Sequence, residues 1–319
     1  MMGPKVRLSN GVELHDGETF YFDPLELRHR GVHCISHAHF DHLPQKVMGD
    51  RVVCSELTHR SLCHRIDRTV ERVEHSRVRS LDAGHIDGSN MFLVEGETRT
   101  LFTGDFCNRD RFGIRGARPE RVDTLIIEST FGAPRYRFPP PEEELKRVRD
   151  WVDENMSRGR SVVLISYPLG KTQETIMMFE DLQPFLYGSA LHVTQRVDER
   201  GLSYRPFDRG LGGPSLIIWP TGSRRSRLLA EMKDWGAVTA VLSGWAMDPS
   251  YRYRMGVDEA FTISDHADYQ GLLDFVRDCD PSLVYTHHGF EGELASAVRK
   301  ELGVEAYALK PNQNSLLDY

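Results

Sequence analysis

A mixed α/β fold, built from both ends of the chain and interrupted by a second α/β unit, is the class this sequence predicts. Three observations carry the prediction. Short apolar or β-branched runs separated by polar turns fill the first ~130 residues. A strand–turn–helix succession, the building block of a parallel layer, begins at residue 161. From Phe261 the tail returns to strands alternating with helices. With 319 residues, 39% apolar and 27% charged, the chain has the length of one large or two modest globular domains.

In order, residues 32–36, 51–54, 91–94, 99–103 and 124–127 read as strands. Three prolines at 139–141 are followed by acids and then by Leu145, Val148, Trp151, Val152 and Met156 at helical spacing, ending at Gly159. The run SVVLISY at 161–167 is a strand, and after Gly170 the stretch KTQETIMMFEDL is a helix. LIIW at 216–219 and AVTAVLSG at 237–244 read as buried strands. After Phe261 come a helix in GLLDFVRDC, a strand in SLVYTHH and a helix in ELASAVRKELG. No repeat and no low-complexity segment appears. This places a core domain in 1–133 and 246–319 and an insert in 134–245.

Composition excludes several classes. The net charge of -7 argues against a polycation that coats nucleic acid, though not against a local basic groove. The 40 cations are 33 Arg and 7 Lys, and Arg is the better fork for phosphate oxygens. Five cysteines, odd in number and without a C-x-x-C pair, argue against a disulfide scaffold and a cysteine zinc finger. No apolar run approaches the roughly 20 residues that span a bilayer. The opening MMGPKVRLSN lacks a signal-peptide core, so a cytoplasmic protein without a membrane partner is expected.

The most informative segment is His37-Ala38-His39-Phe40-Asp41-His42, directly after the strand VHCIS. On a strand exit His37 and His39 point the same way, and Asp41 and His42 turn with the loop. Four ligand-competent side chains in six residues are costly to bury without a cation. Imidazole with carboxylate suits Zn²⁺, Mn²⁺ or Fe²⁺. His85 in AGHIDGS, Asp105 in FTGDF and His288 in VYTHHGF follow further along.

This series resembles the metal-binding motifs of the metallo-β-lactamase fold. Asp23, in YFDP, resembles the family's early orienting aspartate, with Leu25 where the family usually has glycine. The string DTLIIESTFG, carrying Glu128, resembles motif A of the β-CASP nucleases. SDHAD, carrying His266, resembles their motif B, and His288 falls in motif C. ESTFGAPRYRFPP, YPLGKTQE, SGWA and SDHADY look closest to the DNA-ligase-associated exonuclease branch. The resemblance implies an αββα metallo-β-lactamase sandwich with an inserted α/β β-CASP cap.

Carried over residue by residue, the resemblance implies that His37, His39 and His85 hold one divalent ion and Asp41, His42 and His288 a second, with Asp105 between them. Zn²⁺ is the expected metal, with Mn²⁺ as the alternative. Two such ions activate water and clamp a phosphate oxygen. His266 is expected to protonate the leaving oxygen or hold the phosphate, with Glu128 paired to it and favouring its charged form. Of the adjacent His287 and His288, opposite in an extended segment, only one should reach the metals, and the family pattern selects His288. The remaining seven histidines carry no motif.

Lys171 beside Gly170 at a helix start, and Ser223 and Arg224 in the string TGSRR, are candidate phosphate contacts. The expected activity is metal-dependent hydrolysis of phosphodiesters in single-stranded or end-processed nucleic acid, leaning to a DNA exonuclease in repair. A DNA ligase or helicase is the partner the resemblance suggests. The alternatives are an RNA-processing β-CASP ribonuclease and an inactive scaffold subunit.

Overall fold

The computed structural model describes residues 5–311. They form a mixed α/β structure that divides into two compact units. The first comprises 5–110, 115–137 and 266–311, and the second comprises 111–114 and 138–265.

Unit one holds two main sheets. The smaller has the order Lys5–Ser9, Gly11–Asp16, Glu18–Phe22, Val32–Cys34. The larger has the order Glu305–Ala308, Leu283–Gly289, Thr124–Ser129, Arg99–Phe102, Asn90–Glu95, Val78–Asp82. Side-chain alternation decides what each face buries. From the larger sheet Phe92, Phe102, Ile126 and Tyr285 share one apolar cluster with Phe20, Phe22 and Leu14 of the smaller sheet. Leu125, Ile127 and Val284 point the other way, into a cluster with Leu272, Leu273 and Val276 of helix Tyr269–Cys279 and Leu294 of helix Glu291–Ala297. Thr124–Ser129 is therefore buried along its whole length. Helix Glu56–Ile66 sends Leu62 into a third cluster with Leu27, Ile35 and Val52.

Unit two is a parallel sheet in the order Arg205–Pro206, Phe185–Leu186, Leu216–Pro220, Val162–Ser166, Val238–Leu242, Glu259–Phe261. Its central strand is buried on both faces, as parallel sheets require. Val162 and Leu164 pack with Val148 and Val152 of helix Pro141–Ser157, while Val163 and Ile165 pack with Leu229 and Met232 of helix Arg227–Asp234.

The division differs from the insert expected at 134–245. Residues 134–137 group with unit one, and 246–265 group with unit two because Glu259–Phe261 pairs with Val238–Leu242. Several elements had no signal in the sequence reading: the N-terminal antiparallel strands, strand Val78–Asp82 and helices Glu56–Ile66, Ser189–Val197 and Arg227–Asp234. No helix among the described residues is long and apolar enough to cross a membrane.

Candidate metal centre

The larger sheet of unit one delivers chemistry at one edge. Arg99–Phe102, Thr124–Ser129 and Leu283–Gly289 are mutually parallel. Their C-terminal ends therefore lie together, the edge at which open α/β sheets present ligand sites. Asp105 follows the first, Glu128 ends the second and His288 ends the third. His85 follows Val78–Asp82, which runs the same way, and the loop 37–42 follows Val32–Cys34. His288 has a left-handed backbone, φ 59°.

Two groups of side chains converge there. His37, His39, His85 and Asp105 place one ligand atom each within 4.8 Å of one another, and so do Asp41, His42 and His288. Asp105 reaches both: its Oδ2 is 3.7 Å from His37 Nε2, 4.0 Å from His85 Nε2 and 3.2 Å from His42 Nε2. The first group is mostly buried, whereas Asp41 and His288 are exposed.

The hydrogen bonds behind these atoms set which nitrogens carry protons. Ser36 Oγ donates to Asp23 Oδ2 at 2.7 Å, so it accepts from His37 Nδ1 at 2.9 Å. His37 Nε2 is then a bare lone pair, 3.0 Å from His39 Nδ1. His39 Nδ1 also lies 3.1 Å from His85 Nε2, and one nitrogen can donate to only one of these neighbours. On the second side His42 Nδ1 donates to Asp23 Oδ2 at 2.8 Å, which turns Nε2 toward Asp105. Buried His42 Nε2 and Asp105 Oδ1 have no hydrogen-bond partner. Converging lone pairs, orphaned buried atoms and a carboxylate behind the imidazoles are what a divalent cation requires of its ligands and of the groups that orient them. Nitrogens about 3.3 Å apart would suit a tetrahedral zinc. The donor set, imidazole and carboxylate without thiolate, fits that group.

From the protein's own charges the site is polarised. Burial, with His42, His39 and His85 close by, holds His37 well below the usual imidazole range. Burial opposes charge on His42 too, but Asp105 and Asp23 carry it well above. Burial likewise disfavours ionised Asp105, yet His42 holds it well below the usual carboxylate range.

Glu128 is fully buried at the strand end. Its Oε1 accepts from Phe106 N at 2.8 Å and its Oε2 from Thr130 N at 3.3 Å. Both oxygens lie within reach of His266 Nδ1, at 3.0 and 3.1 Å. Because a carboxylate can only accept, Nδ1 carries the proton and Nε2 faces away from Glu128. Asp105, Glu128 and His266 themselves form a group within 4.8 Å, and the His266 ring lies 4.5 Å from that of His85. Glu128, His266 and the two ligand groups are thus assembled at one edge.

Other residues singled out in the sequence are not among the two ligand groups. His287 is buried and stacks on Phe102 at 5.3 Å, and burial first of all pushes its imidazole down to about 3. Lys171 is in the interior of unit two, only 2% exposed, with its ammonium on Glu174, which also binds Arg111 at 2.6 Å. Read in the sequence as a candidate phosphate contact, its ammonium is instead paired with a carboxylate one turn on, and Asp265 Oδ2 lies 3.6 Å away. Ser223 closes a short 3₁₀ turn, where its carbonyl accepts from Trp219 Nε1 at 3.0 Å. Arg224 Nη1 donates to the Thr221 carbonyl at 3.3 Å. All five cysteines are free thiols, and burial pushes Cys54 and Cys279 up to about 12. Sequence reasoning missed Ser36, which joins Asp23 to His37; the one available signal was a hydroxyl directly before the motif.

No family model matches the sequence. A probable DNA ligase of Opitutus terrae is 37% identical over 295 residues, covering 86% of this chain and 28% of that protein. Cleavage and polyadenylation specificity factor subunit 3 of Dictyostelium discoideum is 30% identical over 149 residues, 40% of this chain and 19% of the relative. Endoribonuclease ysh-1 of Neurospora crassa is 31% identical over 117 residues, 35% of this chain and 14% of the relative. The chain thus spans less than a third of the length of each of these relatives.

Proposed function

The chain belongs to the β-CASP nucleases of the metallo-β-lactamase fold, and from that premise we propose that it hydrolyses phosphodiester bonds of single-stranded nucleic acid with two divalent ions, Zn²⁺ or Mn²⁺. Unit one is read as the αββα sandwich and unit two as the cap. The observation that carries the proposal is the pair of imidazole–carboxylate groups meeting at Asp105, beside the Glu128–His266 couple.

Bound divalent ions supply the positive charge that activates water and neutralises the phosphate. His37, His39 and His85 would hold one ion, Asp41, His42 and His288 the other, and Asp105 would serve both. Asp23 and Ser36 fix the protons on the far nitrogens of His42 and His37, so that it is the near nitrogens that turn toward Asp105 and would bind an ion. Glu128 fixes the His266 ring through Nδ1, which makes Nε2 the atom that donates a proton to the leaving oxygen or binds the phosphate. A resistant diester is cleaved here by positioning and charge neutralisation, with no covalent step on the protein.

The favoured substrate is a DNA strand, shortened from an end. It is supported by the 86% coverage of this chain in its likeness to a protein named as a DNA ligase, which also makes a ligase the natural partner. An RNA strand is the second reading, favoured by the relatives named as endoribonucleases. The test uses matched DNA and RNA oligonucleotides, labelled at either end, with Zn²⁺ or Mn²⁺, and the Asp105→Ala variant. The expected result is a one-sided ladder on DNA that Asp105→Ala abolishes while the protein stays folded. Faster cutting of RNA would favour the second reading. Cleavage of neither polymer by metal-loaded protein would overturn both.

A further inference from the structure

Phe40 stands between the ligand candidates His39 and Asp41, yet its ring is 74% exposed. It is held from one side: the Arg65 guanidinium lies 3.5 Å from the ring centroid, and Arg65 Nη1 donates to the Phe40 carbonyl at 3.2 Å. Around this pair opens a cavity of about 610 Å³ lined by Phe40, Pro44, Val47, Ile66, Arg65 and Arg68, within the 300–1,000 Å³ range of small-molecule sites. Arg68 Nη1 donates to the Val47 carbonyl at 3.3 Å. Among the described residues no carboxylate pairs with Arg65 or Arg68, whereas Arg51, Arg72, Arg77 and Arg79 each face one. A basic residue in the last turn of helix Glu56–Ile66 suits the helix dipole and would account for Arg65 alone. It does not account for the exposed aromatic, or for a second uncompensated cation beyond the helix end.

We propose that this pocket is a nucleotide subsite: an unpaired base stacks on Phe40 and the adjoining phosphates meet Arg65 and Arg68. The inference rests on the nuclease reading and specifies the substrate contact beside its metal centre. An aromatic face backed by a guanidinium, with further Arg charge in reach, is how single strands are gripped without regard to sequence, since every base has a π-face. A base held in a duplex cannot reach the ring, so the subsite selects unpaired strands. Phe40 directly adjoins a ligand candidate on each side, so a nucleotide stacked on it is held by the same loop that carries His39 and Asp41.

The test measures binding, with chelator present, of a fluorescent oligothymidylate to the full chain by anisotropy, so that no cleavage intervenes. Phe40→Ala should weaken binding about five- to hundredfold, Phe40→Trp should restore it, and both should keep the wild-type melting midpoint. An oligonucleotide made of abasic sites should bind wild type and Phe40→Ala equally, because it offers nothing to stack. Equal affinity of wild type and Phe40→Ala for the thymidylate would overturn the subsite, as would a deficit that persists on the abasic strand. Cleavage by metal-loaded wild type is read separately. No cleavage alongside Phe40-dependent binding would overturn the nuclease reading and keep the subsite, and normal cleavage with Phe40-independent binding would do the reverse.

Discussion

Asp23 does more than its distance from the motif in sequence suggests. One carboxylate accepts from Ser36 N at 2.6 Å, from Ser36 Oγ at 2.7 Å and from His42 Nδ1 at 2.8 Å. It therefore fixes the tautomer of His42 directly and of His37 through Ser36, one histidine in each ligand group. In Asp23→Asn an amide NH₂ replaces one oxygen and faces either the Ser36 backbone N–H, at the Oδ1 position, or the Ser36 hydroxyl and the His42 N–H together, at the Oδ2 position. Metal affinity should fall about 10–100-fold, the usual cost of losing such an orienting partner, as read by competition with a chromophoric chelator. Unchanged affinity would remove Asp23 from the metal machinery. The ligand candidates were legible in the sequence because metal binding demands particular side chains in a particular order. Ser36 was not, because a hydroxyl that relays a hydrogen bond looks like any strand-end serine. Phe40 stands inside the motif, but nothing in one sequence says which way a ring faces.

At the scale of elements, legibility followed burial. Thr124–Ser129, Val162–Ser166 and Leu216–Pro220 are covered on both faces, and their unbroken apolar runs announced them. Helix Glu56–Ile66 buries only Leu57, Thr58 and Leu62, too narrow a stripe to stand out among its polar residues. Helix Lys171–Met178 misled in the opposite way. A lysine after glycine at a strand–helix junction has the look of a phosphate site, but Glu174 lies on the same face one turn later and takes the ammonium into the interior. Arg111 joins the same carboxylate, with both side chains about 2% exposed or less. Glu174 is thus the shared anion of two buried cations. Glu174→Gln should destabilise the protein by about 3–5 kcal/mol, since it breaks two buried ion pairs at once and leaves Lys171 with Asp265 at 3.6 Å. Lys171→Met should cost less, because Arg111 still neutralises Glu174. Urea unfolding of the two variants decides it: a larger loss from Lys171→Met would contradict this account of the network.

For the whole molecule, the net charge of -7 speaks against general attraction to nucleic acid, and the order of motifs along the chain speaks for it. The ligand groups reconcile the two, because the charge that matters is local. His37, His39, His42 and His85 crowd against one another, with ring centroids 4.1 to 4.9 Å apart where they meet. Buried lone pairs at such spacing oppose folding unless a cation collects them. All seven metal-ligand candidates belong to unit one, whereas unit two folds around its own clusters. Removing the metals should therefore lower the stability of unit one and leave unit two nearly untouched. A ligand present at a thousand times its dissociation constant stabilises by about 4 kcal/mol, so chelation should lower the midpoint of unit one's transition by several degrees. Hydrogen exchange with and without chelator localises the change. Strands Arg99–Phe102, Thr124–Ser129 and Leu283–Gly289 should lose protection, while Val162–Ser166 and Val238–Leu242 keep theirs. Equal loss in both units would mean that the cations stabilise the molecule as a whole, and no change in either would mean that the converging imidazoles hold none.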